Sequence, residues 1–306
     1  MNYSQLVEQI FKKESFLCVG LDTDYHKIPP QVKTSVIGDS MYSFNTQIIR
    51  ATAPYTVAYK LNIAFYESQG RTGWKVLEDT IEFIQNNYPD ILIIVDAKRG
   101  DIGNSSAMYA KAIFDKLQAD AVTVSPYMGK DSIMPFLEHE DRWTIILALT
   151  SNAGSEDFQM LLTPEEECPQ LSAQIDRGIV REALRVVSGP SKPLYQRVLE
   201  TASTWGSPQN TMFVVGATHA EMLTEIRKIV PKNFLLVPGV GAQGGSLEEV
   251  AKYGMSAECG LLVNSSRGII YAGNDEFFAT EAEEKAKAMQ QQMADLLRTY
   301  SYLYIR

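Results

Sequence analysis

Short apolar runs, each ending in polar or glycine residues and followed by a longer amphipathic stretch, recur along the chain. They fall at 16–22 (FLCVGLD), 56–62 (TVAYKLN), 91–98 (ILIIVDAK), 121–127 (AVTVSPY), 144–150 (TIILALT), 211–217, 234–240 and 260–265. Unbroken apolar runs of this length read as strands buried on both faces. The intervening stretches predict helices: one running to about residue 53, one over 72–87, and one starting near Asn104. Strand and helix in alternation imply a parallel sheet with right-handed crossovers, and eight such units are the number that closes a (β/α)8 TIM barrel. We therefore expect one barrel domain over residues 1–306, with function collected at the C-terminal ends of the strands.

Two segments stand outside this repeat. Residues 151–191 are too long for an ordinary connection. They hold SNAGSEDFQ, the acidic LTPEEECPQ, a helical pattern over 172–187 and the breaker SGPSKP. This reads as an insertion after the fifth strand on the catalytic face, serving as a lid, a partner surface or a passive decoration. Residues 276–300 mix Glu, Lys and apolar residues at helical spacing and predict a solvated outer C-terminal helix.

Composition narrows the function. The chain is 306 residues long and 45% hydrophobic, enough for a large core. A net charge of −9 argues against nucleic acid or an anionic membrane as a partner, while leaving room for a local basic pocket that holds a phosphate. Cys18, Cys168 and Cys259 have no paired spacing, so they suggest a reduced compartment and supply no disulfide or metal framework. The start, MNYSQLVEQIFKKES, is an amphipathic helix pattern carrying acidic residues, unlike a signal peptide, and no apolar run approaches a membrane span. The expectation is a soluble, cytoplasmic protein. His26, His139 and His219 share no ligand spacing, so no metal site is expected.

The candidate chemistry lies at the strand ends. The third strand runs into Asp96, Lys98 and Asp101, where strand alternation would point Asp96 and Lys98 to the same side. The first ends in Asp22 and Asp24, the second in Lys60 and Asn62, the fifth in Thr150 and Ser151. Each charge alone could be a structural ion pair, but together they form an alternating array at the barrel mouth that packing does not require. The loop after the seventh strand, VPGVGAQGG, is rich in glycine, and NSSRG after the eighth carries Arg267. Barrels often hold phosphate between these two loops, with exposed backbone N–H groups and an arginine fork. The same loop matches Gly-x-Gly-x-x-Gly at 239–244, but the acid about 20 residues on, Glu258, precedes the next strand, so a dinucleotide site is disfavoured.

The segments IVDAKRGDIGNSS, FLCVGLDTD, YKLNIAFYE, LALTSNAGSEDFQ, PGVGAQGG and NSSRGIIYA jointly resemble the orotidine 5′-phosphate decarboxylase family, in its longer bacterial type 2 branch, over about residues 15–272. The resemblance implies a dimeric (β/α)8 barrel that converts orotidine 5′-monophosphate to UMP, the last step of de novo pyrimidine nucleotide synthesis, with neither metal nor organic cofactor. By position, Lys98 corresponds to the proton donor to C6 and Asp96 to the acid beside the leaving carboxylate. Asp101 corresponds to the acid that enters the neighbouring subunit's site, and Ser105 stands where the family usually has threonine. Lys60 and Asp22 correspond to the groups that hold the ribose hydroxyls and complete the charge array, Ser151 to the reader of the pyrimidine edge, and Gln243 and Arg267 to the phosphate grip. Asn62 joins them as a substrate-binding candidate from its place at the second strand end. Two other readings stay open: a metal-dependent sugar-phosphate lyase or aldolase, since Asp-x-Lys-x-x-Asp also occurs in hexulose-phosphate synthases, and a non-catalytic nucleotide-binding barrel.

Overall fold

The computed structural model describes residues 1–164, 191–241 and 244–301. Among them, eight parallel strands close into a barrel: β1 (Leu17–Gly20), β2 (Ala58–Asn62), β3 (Leu92–Arg99), β4 (Ala121–Val124), β5 (Trp143–Leu149), β8 (Thr211–Val215), β9 (Leu235–Pro238) and β10 (Leu261–Ser265). Around the circle the order is β1, β10, β9, β8, β5, β4, β3, β2. Two further strands, β6 (Leu162–Pro164) and β7 (Ser191–Pro193), pair antiparallel outside the barrel. The barrel strands are almost wholly buried because helices cover their outer faces and side chains fill the interior.

The predicted helices are present at Ile37–Thr52, Gly70–Asn87, Gly103–Ala110 and Phe278–Tyr300. The C-terminal helix buries one face, through Phe278, Ala282, Ala286, Met293 and Leu297. Its first turn stacks Phe278 on Phe44 of the Ile37–Thr52 helix, with ring centroids 5.3 Å apart. The opening amphipathic segment forms a helix over Tyr3–Lys13, started by a capping box between Asn2 and Gln5. It lies across the N-terminal end of the barrel, where Tyr3 meets Phe234 edge-on at 5.3 Å and the indole N–H of Trp143 donates to the Met1 carbonyl. With that end covered, the open end is the one to which the C-terminal strand ends lead.

Three segments differ from the sequence pattern. The fourth strand stops at Val124, not Tyr127, because Pro126 cannot donate to a ladder and the chain turns there, Gly129 N–H bonding to the Pro126 carbonyl. The SKP of the breaker SGPSKP is a short strand whose proline closes the pair with Leu162, followed by an unforeseen helix over Leu194–Ala202. That helix begins directly after Pro193, a residue whose fixed φ suits a helix entry. The helix expected over 172–187 lies outside the described residues. No helix among the described residues is long and apolar enough to cross a membrane.

Candidate active site

At the C-terminal mouth of the barrel lies a cavity of about 490 Å³, a size that suits a small metabolite. Three sides of it have different chemistry. β1, β2 and β3 contribute Asp22, Lys60, Asn62, Asp96 and Lys98; β5 and the segment after it contribute Thr150, Ser151, Asn152 and Gln159; the ends of β9 and β10 contribute Gly239, Val240, Ser265, Ser266 and Arg267.

The charged side is a chain of alternating signs. Lys60 is buried, with its Nζ 3.3 Å from Asp22 Oδ1 and 3.0 Å from Asp96 Oδ2. Asp96 is buried as well, and its other oxygen, Oδ1, receives Lys98 Nζ at 2.6 Å and the Thr123 hydroxyl at 2.8 Å. Burial opposes the charge on Lys60, but Asp96 and then Asp22 outweigh it and raise its pKa. Burial likewise opposes ionisation of Asp96, yet Lys60 first and Lys98 next, with hydrogen bonds from Lys98 and Thr123, hold its carboxyl well below the usual range. Lys60 and Asp96 are thus both charged at neutral pH. Lys98 differs from the rest in being half exposed, its ammonium reaching into the open cavity.

Strand alternation is not what aims Lys98. The backbone at Lys98 is left-handed, φ +48°, and the β3–β4 register breaks between Val95 and Arg99. Its N–H bonds to the Thr123 hydroxyl at 3.0 Å. Asp96 and Lys98 face one cavity, as expected, with Lys98 reaching it from a bulged, left-handed backbone, a conformation that costs a non-glycine residue on the order of 1–3 kcal/mol.

On the β5 side, Gln159 folds back over the strand end. Its Oε1 accepts the Thr150 N–H at 2.8 Å and its Nε2 donates to the Thr150 hydroxyl at 2.9 Å, which fixes the chain entering Ser151. Gly216, after β8, has to lack a side chain: a Cβ there would sit 2.7 Å from the Ser151 backbone nitrogen. On the β9 side, Gly239, Gly241 and Gly244 all take positive φ, and Gly245 N–H closes the turn onto the Gly239 carbonyl. Arg267, exposed at the start of a four-residue helical turn, faces the same space.

Of the expected site residues, Asp22, Lys60, Asn62, Asp96, Lys98, Ser151 and Arg267 line this cavity. Asn62 has a second task, capping the Ile63–Glu67 helix by accepting the Ala64 N–H. Asp101 and Ser105 do not line their own chain's cavity; Asp101 accepts the Ile102 N–H at the rim. Asp24, at the first strand end, instead caps the turn over Tyr25–Lys27. Gln243 lies outside the described residues. Three contributors escaped the sequence pattern: Thr123, Gln159, and Tyr271, whose hydroxyl donates to the Asp22 carbonyl and accepts the Asp24 N–H. Thr123 sat inside an apolar run, whereas Gln159 and Tyr271 lay in the motif segments LALTSNAGSEDFQ and NSSRGIIYA without an assigned task.

The charge array ties stability to pH in a defined direction. The depressed Asp96 pKa stabilises the fold above its unfolded value of about 3.9, and this is lost as pH falls through the folded value. The raised Lys60 pKa stabilises below about 10.4 and is lost as pH rises through its folded value. Urea unfolding should show the contribution of these groups constant between about pH 5 and pH 9, and Asp96→Asn should flatten the decline below about pH 4. An acid limb equally steep in the variant would show that Asp96 contributes nothing to it.

Comparison with known proteins agrees with this geometry. Residues 15–282 match the Orotidine 5′-phosphate decarboxylase / HUMPS family. The chain is 55% identical over 297 residues to an orotidine 5′-phosphate decarboxylase of Christiangramia forsetii, covering 97% of this chain and 99% of that one. Among solved structures, it is similar to one from Toxoplasma gondii described as an orotidine-monophosphate-decarboxylase, with a TM-score of 0.81, 31% identity, and coverage of 99% of this chain and 98% of the other. Leishmania donovani OMP decarboxylase matches with a TM-score of 0.72 and 33% identity over 95% of this chain and 100% of its own. A barrel mouth carrying alternating acids and lysines, and a match that spans most of the chain, place this protein in the orotidine 5′-phosphate decarboxylase family.

Proposed function

We propose that this chain decarboxylates orotidine 5′-monophosphate to UMP, with Lys98 as the proton donor and without a metal or organic cofactor. The observation that carries the reading is the Lys60–Asp96–Lys98 arrangement, in which one ammonium is buried between two carboxylates and the other stands open to the cavity. Breaking the bond from C6 to the carboxylate leaves its electron pair on C6, with no aligned π-system to accept it. A preorganised positive charge beside that carbon lowers the barrier, because it is oriented before the reaction begins. Lys98 supplies the charge, then transfers one N–H proton to C6 as CO2 departs, and recovers a proton from water. Asp96, beside the leaving carboxylate, disfavours the bound ground state and anchors the Lys98 ammonium; charge stabilisation by Lys98 is the larger effect. Both Asp96 oxygens already face ammonium groups, so a metal ion would have to displace one of them to bind there.

The remaining candidates fall into place around this chemistry. Asp22 and Lys60 hold the ribose hydroxyls, Ser151 reads the pyrimidine edge, and Arg267 with Gln243 and the glycine loop grips the phosphate. Enzymes lower barriers by about 8–23 kcal/mol, more than one lysine supplies. Binding of the remote phosphate, used to close loops around the base, is the second source.

A second copy completes the site in this reading. Asp101 and Ser105 leave their own cavity, and the neighbouring β3 and β4 crossovers expose Ile102, Met108, Tyr109, Tyr127 and Met128. Apolar side chains gathered at a rim support a dimer that covers them and brings Asp101 and Ser105 to the partner's Lys98.

Lys98→Ala should leave the fold intact and lower kcat by several orders of magnitude. Retention of more than about a hundredth of the activity, a loss of no more than about 2.7 kcal/mol, would assign the proton to another group. For the shared site, inactive Asp101→Ala and Lys98→Ala chains should complement when mixed. Random exchange makes about half the dimers mixed, each with one intact site, so activity should rise towards about a quarter of wild type. Exchange proved by native mass spectrometry with no rise in activity would place the whole site within one chain.

A further inference from the structure

Across the bulge, Asp96, Ala97 and Lys98 of β3 stand opposite a single residue of β4, Thr123, since the register passes from Val95↔Val122 to Arg99↔Val124. Thr123 is 1% exposed, so its hydroxyl has no access to water and must be satisfied by the protein. It is satisfied twice over: the O–H donates to Asp96 Oδ1 at 2.8 Å, and the oxygen accepts the Lys98 backbone N–H at 3.0 Å. One small group therefore satisfies the Lys98 N–H within the stretch where the ladder is interrupted. It touches both the carboxylate that anchors the Lys98 ammonium and the backbone from which that side chain springs.

We infer that Thr123 is a positioning residue for the proton-donating lysine, holding Lys98 in its left-handed backbone conformation and orienting Asp96 Oδ1 to receive the Lys98 ammonium. The inference rests on the reading of Lys98 as the proton donor. A left-handed lysine persists only where its surroundings hold it there. Once the hydroxyl is removed, the Lys98 N–H loses its partner and Asp96 Oδ1 keeps only the half-exposed Lys98 ammonium. The cavity wall keeps its shape, because valine matches threonine in outline. The consequence falls on the reacting geometry, where misplacement of about 1 Å can cost on the order of a hundredfold, and not on the remote grip that sets substrate affinity.

Steady-state kinetics on the full-length protein with orotidine 5′-monophosphate test this, with Thr123→Val, Thr123→Ser and Lys98→Ala measured side by side. Thr123→Val should lower kcat by about 10–100-fold, the range expected for loss of a hydrogen bond to a charged group. Its KM should stay within about threefold, since the lost interaction serves the transition state. Thr123→Ser, which restores the hydroxyl, should recover kcat to within about threefold of wild type. Equal kcat in Thr123→Val and wild type, equal losses in the valine and serine variants, or a rise in KM at constant kcat would each overturn the inference. If the valine variant does not fold, Thr123→Ala against Thr123→Ser makes the same comparison, as the two differ only in the hydroxyl. Substantial activity in Lys98→Ala would instead overturn the assignment of the proton donor itself, so the two failures are separable.

Discussion

The buried ammonium of Lys60 is the constraint around which the barrel mouth is arranged. It sits between Asp22 and Asp96 at the ends of neighbouring strands, with its side chain 5% exposed. An isolated charge in that position would be lost to desolvation, and removing one partner from a buried ion pair costs about 3–5 kcal/mol. The pairing thus requires β1, β2 and β3 to end in register, with Lys60 opposite Gly20 and Ile94 and Asn62 opposite Asp96. Barrel closure provides that register. In turn, Lys60 occupies only one oxygen of Asp96 and leaves the other for Lys98, so the open ammonium is anchored by a carboxylate that cannot swing away.

Around the mouth, the charged side chains lie at the ends of β1 to β3, polar ones after β5, and the glycine-rich turn and Arg267 after β9 and β10. In the proposed function, a substrate held at its phosphate and at its base edge has its reacting carbon directed to the charged side. The covered N-terminal end takes no part. Such a division sets the lysines and acids on the strand ends and puts Arg267 beside the glycine-rich turn on the other side of the mouth.

Much of this was legible in the sequence because strand ends in a parallel barrel are marked by an abrupt change from aliphatic to charged residues. FLCVGLD, YKLN and IVDAK each display that change, and Asp22, Lys60, Asp96 and Lys98 followed from it. Residues whose task depends on a local break in regularity were hidden. Thr123 lies in AVTVS, where a threonine is an ordinary strand residue, and only the bulge opposite gives its hydroxyl two partners. The left-handed turn at Lys98 has no signal in a sequence that carries no glycine there. Asp101 stood out in the charged run itself, but its task and that of Ser105 came only through resemblance, and in a single chain neither lines the cavity at the barrel mouth.

In the proposed function this array of protein charges performs the decarboxylation alone. The most direct measurement is UMP formation from orotidine 5′-monophosphate by purified protein, dialysed against and assayed in a metal chelator. Full turnover is expected, unchanged when magnesium is added back. Absence of UMP, or turnover that appears only with a divalent metal, would contradict it.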